Sequence, residues 1–186
     1  MRKERRRLVN IILIVVIALS LAFFVVRPLT LESIIVSGIS MEPTLQDGEY
    51  GLTGKLKIGG LKRFNVVAFH KVNSDKVLVK RIVGLPNENV AYHDKGLYIN
   101  GEYVAEDFID AENRSKTFEF CDFCSLTGVT LGEDEYFVLG DNRDVSIDSR
   151  DFGPIKESSI ISKGIIIYGQ EKDGVKNWYW PKFIGW

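Results

Sequence analysis

Lys76-Val77-Leu78-Val79-Lys80-Arg81-Ile82-Val83 reads as a β-strand. Its period of two sets Leu78, Lys80 and Ile82 on one face and Val79, Arg81 and Val83 on the other. One of two adjacent cations must therefore point into apolar surroundings. If that residue is Lys80, desolvation disfavours the ammonium and lowers its pKa from about 10.4 towards the range where a neutral amine accepts a proton. Arg81 cannot act so, because a guanidinium stays protonated. The other reading is a strand at a sheet edge with both cations snorkelling to water.

Outward from this segment the chain continues as short β-type runs broken by Gly, Asn, Asp and Pro, with no sustained helical period and no internal repeat. The remaining expected strands are Leu31 to Ser37, Glu49 to Thr53, Asn65 to Lys71, Asn89 to His93, Leu97 to Ile99, Tyr136 to Leu139 and Lys163 to Tyr168. Asn100-Gly101 is a hairpin dipeptide between Gly96-Leu97-Tyr98-Ile99 and Glu102-Tyr103-Val104. Ala105 to Glu135 is polar, acidic and weakly patterned, the composition of an excursion from the sheet with no legible chemistry. Trp178 to Trp186 holds all three tryptophans. That tail reads either as a belt at lipid headgroups or as a final strand completing the core.

Leu8 to Val26 carries no charge and, at about 1.5 Å per residue, spans roughly 28 Å, enough to cross a bilayer once. Arg2, Lys3, Arg5, Arg6 and Arg7 precede it against the single acid Glu4, which keeps residues 1–7 cytoplasmic and sends residues 27–186 outside. The rival is a cleaved secretory signal ending at Ser20-Leu21-Ala22. Apolar residues continue through Phe23, Phe24, Val25 and Val26, which would bury that site in the membrane, although Ala22 remains a place for slow self-cleavage. About 160 residues then form one extracytoplasmic domain.

Of 24 basic and 25 acidic residues, five basic and one acidic fall in residues 1–7, leaving 19 against 24 outside. A mildly acidic ectodomain excludes nucleic acid as a partner. Cys121 and Cys124, in Cys121-Asp122-Phe123-Cys124, read as a small disulfide outside the cytosol. Zinc would need further ligands from His70 and His93, whose spacing fits no zinc pattern, so no metal or cofactor is expected. Asn113-Arg114-Ser115 matches a glycosylation acceptor too short to carry weight.

Ser40 follows a β-type run ending in Gly38 and precedes Met41-Glu42-Pro43-Thr44, where proline fixes the backbone and stops the strand. A serine so placed is ordinarily a capping or solvated hydroxyl, and becomes a nucleophile only beside a base. His70 lies in a strand-like run and His93 beside Asp94 in a turn, which leaves Lys80 as the economical base. The polar turn Gly140-Asp141-Asn142-Arg143-Asp144-Val145-Ser146-Ile147-Asp148-Ser149-Arg150 is rich in capping groups and also suits a hydrogen-bonded scaffold for a site.

Ser40-Met41-Glu42-Pro43-Thr44-Leu45, Val79 to Pro86 and Gly140 to Arg150, in that order behind one apolar N-terminal run, resemble the bacterial type I signal peptidases. The small size and lone span are similar to the Gram-positive members. The resemblance implies a mostly β protein, an antiparallel β-sheet catalytic domain behind one transmembrane helix. It makes Ser40 the nucleophile and Lys80 the general base and acid. Gly38, Met41 and Pro43 would line the substrate cleft, with Pro43 and Thr44 also fixing the turn. Ser146 would hold the lysine amine by a hydrogen bond, Asp148 and Arg150 would form an ion pair, and Gly140, Asp141 and Asn142 would shape the supporting loop. Implied partners are secreted preproteins cut after small-x-small motifs, membrane lipid and the neighbouring secretion translocon.

Departures from the family pattern are visible too. Arg63-Phe64-Asn65 stands where many relatives have a Gly-Asp pair, and Pro86-Asn87-Glu88 replaces a Pro-Gly turn, which asparagine tolerates through left-handed backbone angles. Gly38 stands where some relatives carry an oxyanion-binding serine, so the oxyanion would rest mainly on the Ser40 amide. Two other readings compete: a Ser/Lys protease dedicated to one partner or to itself, and a non-catalytic assembly factor, a class that typically lacks the serine or the lysine.

Overall fold

The computed structural model describes residues 2–26, 31–55, 59–71, 74, 76–93, 96–109 and 128–185. Helix α1 (Arg2–Leu21) runs into a π-helical turn at Ala22–Val26. Residues Lys3–Phe24 are long and apolar enough to cross a membrane, and none of that stretch is buried against the rest of the protein. Beyond it the protein is mostly β.

Strands β1 (Leu31–Ile35), β2 (Glu49–Gly54), β3 (Val66–His70), β4 (Val77–Gly84), β9 (Glu135–Leu139), β10 (Ile155–Lys156), β11 (Ile160–Lys172) and β12 (Val175–Ile184) form one antiparallel sheet. Its order is β1-β2-β11-β3-β4-β9-β10, with β12 paired to β11. Strands β5 (Asn89–His93), β6 (Gly96–Ile99), β7 (Glu102–Val104) and β8 (Val129–Thr130) form a second sheet in the order β7-β6-β5-β8. Asn100 and Gly101 take φ of 52° and 85°, the positive angles that a tight β6–β7 hairpin requires.

Strand β4 is interior from Arg81 onward, while its residues 77–80 pair with β3 alone among the described residues. Lys80 lies opposite Val67 of β3, and Arg81 is flanked by Val66 on one side and Leu139 of β9 on the other. Both cations are nonetheless buried: Lys80 is 3% exposed and Arg81 6%. The snorkelling reading is therefore overturned.

Three apolar clusters fill the structure. Val83, Leu139 and Phe137 of the large sheet pack on Val90, Leu97 and Leu131 around the small one. Val67, Ile82 and Val138 form the second cluster. Met41 and Leu45 join Val66, Ile165 and Ile167 in the third, which anchors the turn after Ser40. Gly84 lies where the sheets meet, and a Cβ there would press into Val90, Leu131 and Phe137. Gly84→Ala is expected to cost about 1–3 kcal/mol by overpacking, read as a lower midpoint in urea unfolding.

Two expectations need correction. The region from Ala105 to Glu135 is not an excursion throughout, because Val129–Thr130 returns to pair with β5; residues 110–127, with Cys121, Cys124 and Asn113, lie outside the described residues. The C-terminal tail is a strand, yet it does not complete the core. Tyr179 and Ile184 pack on the third cluster, while Trp178, Trp180 and Phe183 are 63%, 92% and 71% exposed.

The two segments that depart from the resembled pattern both use left-handed backbone angles. Phe64 adopts φ 68°, its carbonyl accepts from Arg81 Nη1 at 2.9 Å, and its ring meets Phe108 edge-on. Asn65 Oδ1 accepts from the Lys62 amide at 2.8 Å, a task open equally to an aspartate. Asn87 takes φ 64°, the left-handed conformation expected of it.

Candidate active site

A turn, a strand and a loop meet at Ser40. Val36 N–H donates to Glu49 O and Gly48 N–H to Val36 O, closing the segment that carries the serine. Gly38 sits at φ 93°, a conformation that L side chains rarely adopt, and its N–H donates to Asp47 Oδ1 at 2.7 Å. Ser40 follows at the start of a turn in which Glu42 N–H reaches Ile39 O and Leu45 N–H reaches Met41 O. Burial of Met41 and Leu45 fixes that turn from below.

Lys80 reaches it from β4. Its Nζ is 2.7 Å from Ser40 Oγ and also donates to Val79 O at 3.1 Å. Burial pushes the Lys80 pKa down to about 8. Asp148 and Asp141 pull it upward and Arg150 lowers it, but desolvation is the largest influence. Roughly a tenth of the amine is therefore neutral at pH 7, and a neutral amine at 2.7 Å can take the serine's proton.

The loop from Gly140 forms the third wall. Asp148 caps the short helix α2 (Ser149–Phe152), takes the Gly140 amide at 2.9 Å, and pairs with Arg150 through Nε at 2.9 Å and Nη2 at 3.0 Å. Arg150 Nη2 also reaches Ser146 O, so the ion pair fixes the backbone beside Ser146. Asp141 is gripped by Arg81 at 2.9 and 2.6 Å and accepts from Thr44 Oγ1. A Cβ at Gly140 would collide with Ser146 Oγ and the Ser40 carbonyl, so glycine lets loop and turn touch.

Two expected contacts differ. Ser146 Oγ is buried and makes no hydrogen bond among the described residues, while the Lys80 amine bonds Ser40 Oγ and Val79 O. Pro43 does not line the cleft; it is exposed on the turn, behind a cis Glu42-Pro43 peptide. Gly38 and Met41 do line it.

That cleft, about 380 Å³, is lined by Ser40 and Lys80, with Glu32 and His70 among its other lining residues. Its sides are Ile34 to Gly38 and Val77 to Val79, and Ala68, Thr53 and Ser162 contribute small side chains. Among the described residues β1 is bonded only to β2, and residues 77–80 of β4 only to β3, so each presents an open edge. His70 makes no hydrogen bond to Ser40, and His93 stacks on Tyr98 at 3.5 Å.

The sequence reading passed over a second, deeper set of supports. Arg143 and Glu106, both fully buried, pair at 2.6 Å; Tyr92 donates to the same Glu106 oxygen, and Arg143 Nε holds Gly140 O at 2.9 Å. Glu106 lies in the stretch taken as featureless, and one acid among many there carries no local signal. Arg81, excluded as a base, holds Asp141 instead.

A family model described as signal peptidase, peptidase S26, matches residues 6–169. A signal peptidase I V of Bacillus subtilis is 41% identical over 135 residues, 68% of this chain and 79% of that protein. A signal peptidase IB of Staphylococcus aureus is 36% identical over 175 residues, 88% of each chain. A crystal structure of a signal peptidase I from Enterococcus faecalis V583 aligns with a TM-score of 0.49 at 37% identity, over 57% of this chain and 97% of that one. The chain thus belongs to the signal peptidase family, peptidase S26, and is a serine endopeptidase.

Proposed function

We propose that this endopeptidase removes N-terminal signal peptides from exported preproteins, using Ser40 as nucleophile and Lys80 as general base. The contact that carries the reading is the 2.7 Å bond between a buried, pKa-lowered amine and a hydroxyl lining an open-edged cleft. An extended preprotein segment adds a strand between residues 34–38 and 77–79, presenting small side chains to the shallow floor. Neutral Lys80 takes the Ser40 proton as Oγ attacks the scissile carbonyl. The resulting ammonium gives that proton to the leaving amine, which departs as the N-terminus of the mature protein. Lys80 then activates a water that hydrolyses the acyl-enzyme and frees the signal peptide.

Residues 1–7 stay cytoplasmic under this reading, α1 spans the membrane, and residues 27–186 work outside. The exposed Trp178, Trp180 and Phe183 meet lipid headgroups. Anchoring enzyme and substrate to one surface raises their effective concentration.

The test is a digest of several unrelated preproteins by the detergent-solubilised full chain, with the new N-termini sequenced. Cutting each once, after a small residue with another small residue two positions before it, is the expected outcome. Cleavage of a single member of the panel would replace this reading with that of a dedicated protease.

A further inference from the structure

The oxyanion in this site is left with few donors. Gly38 brings no hydroxyl, and its own N–H is committed to Asp47 at 2.7 Å. Among the described residues no acceptor takes the Ser40 N–H. Stabilisation of the tetrahedral intermediate therefore rests on the direction in which one peptide group points.

The peptide between Ile39 and Ser40 is trans, so its C=O and N–H point in opposite directions. Fixing the carbonyl on one side aims the Ser40 N–H on the other. The Ile39 oxygen accepts from Glu42 N–H at 3.1 Å and from Asn142 Nδ2 at 3.2 Å, which fills both lone pairs. Asn142 also donates its backbone N–H to the Ser40 carbonyl at 3.1 Å, so the peptides on both sides of Ser40 are tied to one residue.

Asn142 is itself held firmly. Asp141 before it is clamped by Arg81 at 2.9 and 2.6 Å, and Arg143 after it is buried against Glu106 at 2.6 Å. Its carbonyl accepts from Ser146 N–H at 3.1 Å. A residue fixed on both flanks and bonded to both Ser40 peptides is placed to set their orientation.

We infer that Asn142 is the positioning residue of the oxyanion hole, its side-chain amide orienting the Ile39-Ser40 peptide so that the Ser40 N–H faces the developing oxyanion. The inference rests on Ser40 being the nucleophile. Transition-state charge then depends on a carboxamide that touches neither substrate nor the reacting atoms. Asn142→Asp keeps size and backbone N–H but sets a carboxylate against the Ile39 carbonyl, which turns the peptide. Asn142→Ala removes the tie alone.

Two inhibitors separate positioning from general damage: a substrate-like peptide aldehyde, which adds to Ser40 and forms an oxyanion, and the matching peptide alcohol, which binds without one. For the full-length Asn142→Asp and Asn142→Ala enzymes in detergent, kcat for a preprotein is expected to fall about 10- to 100-fold with KM within about twofold, somewhat less than loss of an oxyanion donor outright. Aldehyde affinity is expected to fall by a similar factor, with alcohol affinity unchanged. Equal weakening of both inhibitors, or no change in the aldehyde, overturns the inference. Ser40→Ala in the same assay keeps the two readings apart: an active Ser40→Ala enzyme sinks the nucleophile assignment, whereas an inactive one beside unselective Asn142 variants sinks only the positioning role.

Discussion

Ser40→Ala and Lys80→Arg are each expected to reduce preprotein cleavage by at least about 10³-fold, because under the proposed mechanism nucleophile and base act as a unit and neither is useful alone. Arginine keeps the charge and much of the length of Lys80 but cannot shed its proton, so a purely electrostatic role would survive the change. The pH dependence carries the same argument in graded form. The proposed mechanism needs the neutral amine, and burial holds that group at about 8. kcat/KM is therefore expected to fall tenfold per unit as pH drops below about 8 and to level off above it. A limb near the value of free lysine, about 10.4, would mean that the amine is not desolvated in the working enzyme. Near-normal turnover by either variant would remove the dyad from the mechanism.

The second large effect is structural. Arg143→Met leaves the Glu106 carboxylate fully buried without its guanidinium, and stranding one partner of a buried ion pair costs about 3–5 kcal/mol. The expected signature is a marked fall in the urea midpoint of the solubilised protein. Arg143→Met combined with Glu106→Leu is expected to be less destabilised than Arg143→Met alone, because an apolar pair has no stranded charge. A double variant no better than the single would show that Arg143 acts through Gly140 and not through Glu106. Gly140 abuts Ser146 and the Ser40 carbonyl, so the same substitutions are expected to lower activity before they unfold the protein.

The strands were legible where side chains alternate. Lys76 to Val83 and Asn89 to His93 announced themselves, and Asn100-Gly101 specified its hairpin. β11 was seen only as Lys163 to Tyr168, although it runs to 13 residues. Its register shifts after Lys163 and Ile167 break the alternation, and these allow one edge of it to serve β3 and then β12. The β11–β12 turn carried a readable signal, since Asp173-Gly174 adopts φ of 54° and 76° and is as good a hairpin dipeptide as Asn100-Gly101. The C-terminal strand was ambiguous because its outward side is as aromatic as a core face; the side that packs contributes only Tyr179 and Ile184.

The site divided in the same way. Ser40, Lys80, Asp148 and Arg150 could be named from motifs; the structure sets Ser40 and Lys80 in one cleft and pairs Asp148 with Arg150 on the loop beside Ser146. The Arg143–Glu106–Tyr92 brace could not, because it joins a loop to a residue 37 positions away whose neighbours are polar and unpatterned. Nothing in the sequence marks Asp47 as the acceptor for Gly38. Ser146 shows the reverse limit: the resemblance supplies its role, while its hydroxyl here makes no bond to the amine.

The bond from Asn142 to Ile39 joins residues 103 positions apart, and that from Thr44 to Asp141 joins residues 97 apart. Contacts of such high sequence separation are entropically costly to close and form after local structure has condensed. Proteolytic competence is thus a late event in the life of the chain. A nascent or half-folded copy, with its apolar N-terminus already made and the loop from Gly140 still unattached, holds a serine and a lysine but no enzyme.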